Sequence, residues 1–170
     1  PARGPSSLLT TVPDGVVSGH LVRRARVGTL VHLDQAAGDF VLPTVTPTKT
    51  LFVTGGSGIT PVMGLLRASL DDLDDVVVVH SARTAADVVF GGELRMLHGL
   101  GRIRLIERHT QSDGRLDRAQ LLALVPDLAE RETWACGPTG LLDEIEALQA
   151  DLGLRDRLRA RRPGRLADHA

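Results

Sequence analysis

Three short stretches of this chain carry residues whose types and spacing suit chemistry. The first is Leu51-Phe52-Val53-Thr54-Gly55-Gly56-Ser57-Gly58-Ile59-Thr60-Pro61, where an apolar strand runs into a glycine turn and then into a helix. Glycines at 55, 56 and 58 let the backbone approach a ligand with no Cβ in the way, and the helix aims its unpaired N–H groups and positive dipole end there. Pro61 gives up only an N–H that a first helical turn leaves unpaired. Such a turn suits a phosphate, although three glycines at a strand end also make an ordinary loop. The second stretch, His80-Ser81-Ala82-Arg83-Thr84, offers an arginine with neighbouring hydroxyls. An acid at that place would suit a ribose 2′-hydroxyl, whereas Arg83 with Ser81 suits a 2′-phosphate. Read alone, Arg83 is equally a solvated loop residue. The third, Cys136-Gly137-Pro138-Thr139-Gly140, sets a thiol before a glycine turn and a new helix. A lone cysteine after Trp and Ala is in isolation more often an inert core residue.

These stretches must be held by elements, and the pattern after residue 48 supplies them. Lys49–Val53, the continuous run Val76–Val79, Ile103–Ile106 and Thr133–Cys136 read as strands. Helices fall between and after them. Val62, Leu65, Leu66, Leu70 and Leu73 share one face, Gly92–Leu100 forms a short helix, another lies near Leu116–Leu124, and Leu141, Ile145, Leu148 and Leu152 stripe the last. Alternating strands and helices imply a parallel sheet covered on both faces, with ligands beyond the carboxyl ends of the strands where strand order reverses. All three stretches fall at such ends.

Ahead of residue 49 the pattern differs. Ser18 is a candidate cap for a helix with Leu21, Val22 and Ala25 on its apolar face and Gly28 as its stop. Thr29–Leu33 and Gly38–Pro43 read as strands, and Thr44–Thr48, with Pro47 just after Pro43, reads as a linker.

Composition excludes several classes. A chain of 170 residues buries about 70% of its unfolded surface, enough for a real core. Its net charge of −1 gives no electrostatic footprint for nucleic acid, and only Phe40, Phe52, Phe90 and Trp134 are available to stack on bases. No apolar run reaches the roughly 18 residues of a membrane span, so the chain reads as cytoplasmic. The single Cys136 permits neither an intrachain disulfide nor a Cys₄ cluster. Six histidines without metal-ligand spacing read as surface or second-layer residues. The glycine turn lacks Gly-Lys-Ser/Thr, which argues against a nucleoside-triphosphate P-loop.

Taken in order, Thr54–Pro61, the Arg83–Leu94 stretch with Phe90 and Glu93-Leu94, and Cys136-Gly137-Pro138 resemble the pyridine-nucleotide domain of the ferredoxin–NADP reductase superfamily. Gly15-Val16-Val17-Ser18 resembles that family's flavin-pyrophosphate motif, and Gly38–Pro43 the close of its flavin barrel. The wording of residues 15–43 is similar to the reductases that serve oxygenases and desaturases. The resemblance implies an α/β fold: a doubly wound, parallel, five-stranded sheet preceded by a partial antiparallel β-barrel with one small helix. It implies domain limits of 1–46 for the end of the flavin barrel, 47–162 for the NAD(P)-binding domain and 163–170 for a tail, with the chain N-terminally truncated.

The activity implied is hydride transfer from NADPH, or NADH, to FAD, and then electrons to a separate ferredoxin, oxygenase or desaturase component. By this resemblance Cys136 borders the nicotinamide as the catalytic residue, and Gly137, Pro138 and Thr139 shape its pocket. Gly56, Gly58 and Thr60 cradle the pyrophosphate, with Thr54, Gly55, Ser57 and Pro61 completing the turn. Ser81 and Arg83 take the 2′-phosphate, and Gly15, Val17 and Ser18 meet the FAD pyrophosphate. The sequence departs from the family in three ways. There is no tyrosine for the flavin signature, most of the barrel is absent, and arginines dominate Leu154–Arg162, where relatives carry an acid and an aromatic. A binding module that holds NADP without flavin is the alternative.

Overall fold

Continuous apolar runs decide the sheet, because a strand covered on both faces has no polar side to alternate with. The computed structural model describes residues 15–32 and 39–162. Five strands form one parallel sheet: β1 (Lys49–Gly55), β2 (Asp75–Ala82), β3 (Arg104–His109), β4 (Glu132–Cys136) and β5 (Leu158–Arg161), in the order β3-β2-β1-β4-β5. The expected α/β sheet of five parallel strands is therefore present. The arginine-rich carboxyl end does form the fifth strand. There Arg159 stacks its guanidinium over the Trp134 ring at 5.3 Å, so a cation replaces an apolar side chain as cover.

The described residues also form the helices α1 (Val16–Arg23), α2 (Ile59–Ser69), α3 (Gly91–Gly99), α4 (Thr110–Asp113), α5 (Arg118–Leu124) and α6 (Thr139–Asp151). Alternate strand residues point to opposite faces and build two cores. Phe52, Val78 and Trp134 meet Ile59, Val62, Met63 and Leu66 of α2 and Leu94 of α3 on one face. Leu51, Val53, Val77, Val79 and Ala135 meet Leu121 of α5 and Leu142, Ile145 and Leu148 of α6 on the other. The chain divides into two compact units, residues 1–37 and 38–170. In the second unit Phe40 and Leu42 pack on the first of these cores, and Trp134 Nε1 donates to the Val41 carbonyl at 3.1 Å.

Several local expectations are corrected. Ser18 is not the cap of α1. Gly15 occupies that position, and Ser18 lies within the first turn with its hydroxyl donating to Gly15 O at 3.5 Å. The helix stops at Arg23, ahead of Gly28. No strand occurs in 15–32 or 39–48 among the described residues, so the partial barrel is not seen. Residues 29–32 and 39–43 are irregular, and an isolated strand without a ladder partner has nothing to hold it extended. Leu33, Gly38 and the expected 163–170 tail lie outside the described residues. The second helix begins at Ile59 rather than Pro61, which keeps Pro61 within the first turn where its missing N–H costs nothing. It ends at Ser69, and a 3₁₀ turn over Leu70–Asp72 returns Leu73 to the core.

The amino ends of the central strands are clamped by charge. Arg131, 4% exposed, reaches Asp75 at 2.8 Å and Asp127 at 2.8 Å, and donates to the carbonyls of Thr50 and Asp75. Lys49 joins through Asp127 at 3.1 Å and Glu130 at 2.6 Å. A buried guanidinium is tolerable only when its donors are filled in this way. The Arg131 bonds hold the Asp127 carboxyl down to about 2. Because the folded value lies below the unfolded one, the stabilisation is present above about pH 4 and lost as the pH falls through the folded value. Urea denaturation at pH 7 is expected to find Asp127→Asn destabilised by about 2 kcal/mol, a deficit that shrinks toward pH 2. An undiminished deficit in acid would rule out this origin.

Candidate functional site

In a parallel sheet of this order, β1 and β4 are neighbours whose following helices leave in opposite directions, opening a crevice between their carboxyl ends. Here that crevice is floored by backbone. A Cβ on Gly58 would lie 2.1 Å from the Cys136 carbonyl oxygen, so the turn after β1 rests directly on the last peptide of β4. Gly137 returns the contact, since its Cβ would stand 3.0 Å from the Gly55 nitrogen. Gly55 in turn faces the Pro138 ring. Gly56, at φ +54°, takes the left-handed turn out of the strand, and the space where its Cβ would stand is open.

The turn continues as a 3₁₀ segment, Gly56–Gly58, straight into α2. Gly58 is the cap and brings no side-chain acceptor, and the 3₁₀ segment ties the Ile59 N–H back to the carbonyls of Gly56 and Ser57. Thr60 Oγ1 donates to Ser57 O at 2.7 Å, fixing the turn from within. Across the crevice Pro138 caps α6, also without a side-chain acceptor, and Pro138, Thr139 and Gly140 are exposed. The crevice thus has two helix amino ends and a backbone floor, with the Pro138 and Leu141 side chains packed against Gly55 and Gly137 and open space beside Gly56. These features fit an extended dianionic pyrophosphate.

Cys136 ends β4 as the register partner of Thr54 on one side and Arg161 on the other. It is 3% exposed, and burial pushes its thiol up against a smaller opposing pull from Arg161. A neutral, enclosed thiol offers a small polarizable wall and is not a thiolate nucleophile. Ser81 lies in β2, buried, with its hydroxyl lacking a partner among the described residues. Arg83 follows the strand, exposed, with its carbonyl accepting from the Gln111 N–H at 3.1 Å. Among the described residues no carboxylate pairs with its guanidinium. Gly15, Val17 and Ser18 lie at the start of α1 in the other unit, Val17 being exposed.

Phe90 and Glu93-Leu94 play a structural part. Phe90 takes a left-handed backbone at φ 58° to start α3, its ring under the Arg67 guanidinium at 4.9 Å. Arg67 also grips both Glu93 oxygens, at 2.9 and 2.6 Å, and Leu94 fills the core between α2 and the sheet. Sequence reasoning missed His80, which proves fully buried and bonded to Thr54. Its place directly after four buried valines was the available signal.

The family model for the oxidoreductase NAD-binding domain matches residues 52–147, from within β1 to within α6. The chain belongs to this family. The family's NADPH oxidoreductase of Mycobacterium tuberculosis is 45% identical over 170 residues, covering 95% of this chain and 45% of that protein. The glycine betaine monooxygenase reductase subunit of Chromohalobacter salexigens is 35% identical over 150 residues, covering 79% and 40%. The chain thus spans less than half the length of these relatives. Among solved structures, the flavohem-like FAD/NAD-binding domain of nitric oxide dioxygenase from Vibrio cholerae superposes with a TM-score of 0.71 at 21% identity, covering 87% and 64%. No helix among the described residues is long and apolar enough to cross a membrane, and none of them form a His/Cys/Asp/Glu group suited to a metal.

The Gly58 seat yields a sharp expectation. Gly58→Ala forces backbone against backbone and should lower stability by about 3 kcal/mol or more in chemical denaturation. Gly56→Ala, with open space but an unfavourable φ, should cost only about 1–2 kcal/mol. Equal costs would contradict the close seam.

Proposed function

We propose that this chain is the nicotinamide-nucleotide-binding part of a flavin-dependent reductase that oxidises NADPH and passes electrons to a separate acceptor protein. The observation that carries the reading is the close glycine seam of Gly55, Gly56, Gly58 and Gly137 at the strand-order reversal, where Gly58 sits on the Cys136 carbonyl with no room for a Cβ. When bound, the nicotinamide and FAD supply the hydride donor and acceptor. The chain's residues bind, orient and exclude water.

In this reading Gly56, Gly58 and Thr60 cradle the pyrophosphate, with Thr54, Gly55, Ser57 and Pro61 completing the turn. Cys136 walls one side of the nicotinamide ring, and Gly137, Pro138 and Thr139 form the pocket rim. Arg83, free of any carboxylate among the described residues, and Ser81 read the 2′-phosphate. The name of the M. tuberculosis relative, an NADPH oxidoreductase, agrees with that choice over NADH. Gly15, Val17 and Ser18 meet the FAD pyrophosphate. The reductase names among the relatives support a ferredoxin, oxygenase or desaturase component as the electron acceptor.

A second reading, an NADP-binding module without flavin, is favoured by the absence of any strand in 15–32 and 39–48 among the described residues. Incubation with FAD, removal of free cofactor and a visible spectrum separate the two. A retained flavin band bleached anaerobically by NADPH supports the reductase. Absence of flavin with calorimetric NADPH binding supports the module.

Two substitutions test the site itself. Arg83→Ala should weaken NADPH by about 1–3 kcal/mol and leave NADH nearly unchanged, equal losses being the contrary result. In chain that retains FAD, Cys136→Ala should slow hydride transfer in single-turnover kinetics while nucleotide affinity holds. A loss of stability instead would make Cys136 a core residue.

A further inference from the structure

His80 takes no part in that chemistry, yet it is fully buried one layer beneath the crevice. The strand register puts Cys136 beside Thr54, Thr54 beside His80 and His80 beside Glu107, a polar row across four strands at one level of the sheet. Each of the first three lies two residues beyond Trp134, Phe52 or Val78, which share one core, so the row lies on the face covered by α2 and α3. Thr54 Oγ1 and His80 Nδ1 are 2.8 Å apart. The Thr54 hydroxyl also lies 3.5 Å from the Val79 carbonyl. His80 Nε2 has no partner among the described residues. Glu107, the charged neighbour in the row, is engaged by Arg95 at 2.8 Å and stands 3.6 Å from His109. Burial holds the imidazole neutral, pushing it down to about 4 against the pull of Glu107.

A neutral pair of this kind is an expensive way to fill a core in which the preceding positions of β2 are valines. A buried polar pair gains little over apolar packing, and an unpartnered nitrogen makes it worse. What the pair supplies is direction. Thr54 is the residue from which the chain enters Gly55 and Gly56, and its hydroxyl is anchored from the interior. Four residues later Gly58 meets the Cys136 carbonyl with no room for even a Cβ, so a small shift of Thr54 reaches the floor of the crevice.

We propose that His80 is a positioning residue for the nucleotide cradle, acting through the Thr54 hydroxyl to fix where β1 releases the chain into the glycine turn and how that turn seats on Cys136. The inference rests on the NAD(P)-binding reading above. Because the cradle serves the pyrophosphate common to both nucleotides, loss of the anchor weakens NADP⁺ and NAD⁺ alike, unlike loss of Arg83.

Calorimetric titration of the full chain with NADP⁺ and with NAD⁺ tests it. His80→Leu and Thr54→Val should each weaken both nucleotides by about tenfold, the scale expected when supporting contacts let a site loosen by a fraction of an ångström. His80→Asn, whose amide falls near the Nδ1 position, and Thr54→Ser should stay within about threefold of the parent, and the double variant His80→Leu/Thr54→Val should lose little more than either single one. A His80→Leu chain with parental circular dichroism that binds both nucleotides as the parent does, with only a lower denaturation midpoint, overturns the proposal. If His80→Leu does not fold, the near-isosteric Thr54→Val decides in the same way. A parent chain that binds neither nucleotide overturns the functional reading and this inference with it, whereas unchanged binding in the variants overturns this inference alone.

Discussion

The constraint on which the structure turns is the direct seating of the Gly58 backbone on the Cys136 carbonyl. Two peptide segments more than seventy residues apart in sequence approach until no β-carbon fits between them. That approach closes the β1–β4 seam, sets the level at which α2 and α6 begin, and gives the crevice a floor of backbone amides. Glycine is required at 58 for proximity and favoured at 56 for conformation, two demands that look identical in sequence and differ physically. The parallel pairing of β1 with β4 is what brings them into contact.

Polar groups are distributed unevenly along the strands. At the amino ends Arg131, Asp75, Asp127 and Lys49 satisfy one another closely, and the cluster fixes how the central strands start. At the carboxyl ends of β2 and β3 the buried His80 and Ser81 and the half-buried Arg108 and His109 each retain an atom with no hydrogen-bond partner among the described residues, as Thr50 does at the amino end of β1. Among the described residues, more of this unspent polar capacity lies at the carboxyl end than at the ion-paired amino end. Such asymmetry is expected of a parallel sheet that binds at one end, because groups saturated by the fold have nothing left to offer a ligand.

Much of this was legible in the sequence. Val76–Val79 and Lys49–Val53 announced buried parallel strands through unbroken apolar runs, and the glycines after Thr54 marked the turn. What the sequence hid had tertiary causes. His80 and Ser81 extend β2 beyond its valines only because helices cover both faces there, and polarity alone reads as a strand end. Ser18 is a stronger capping residue than Gly15, yet the helix begins one turn before its serine, leaving the hydroxyl to bond backward. The strands expected at Thr29 and Phe40 had suitable residues and, among the described residues, no ladder to join. β5 is the reverse case, a strand of arginines made possible because Arg159 finds an indole to lie on and Glu132 to pair with.

Trp134 has a further consequence. It is the only tryptophan of a chain without tyrosine, fully enclosed in β4, tilted against Phe52 at 5.9 Å and two residues from Cys136. Near-ultraviolet emission from this protein therefore originates at one point, directly under the seam. A dihydronicotinamide absorbs where indole emits, so a nucleotide held in the crevice would drain that emission by dipolar transfer. The fold carries a built-in optical gauge of its own central joint, needing no label and reading no other part of the molecule.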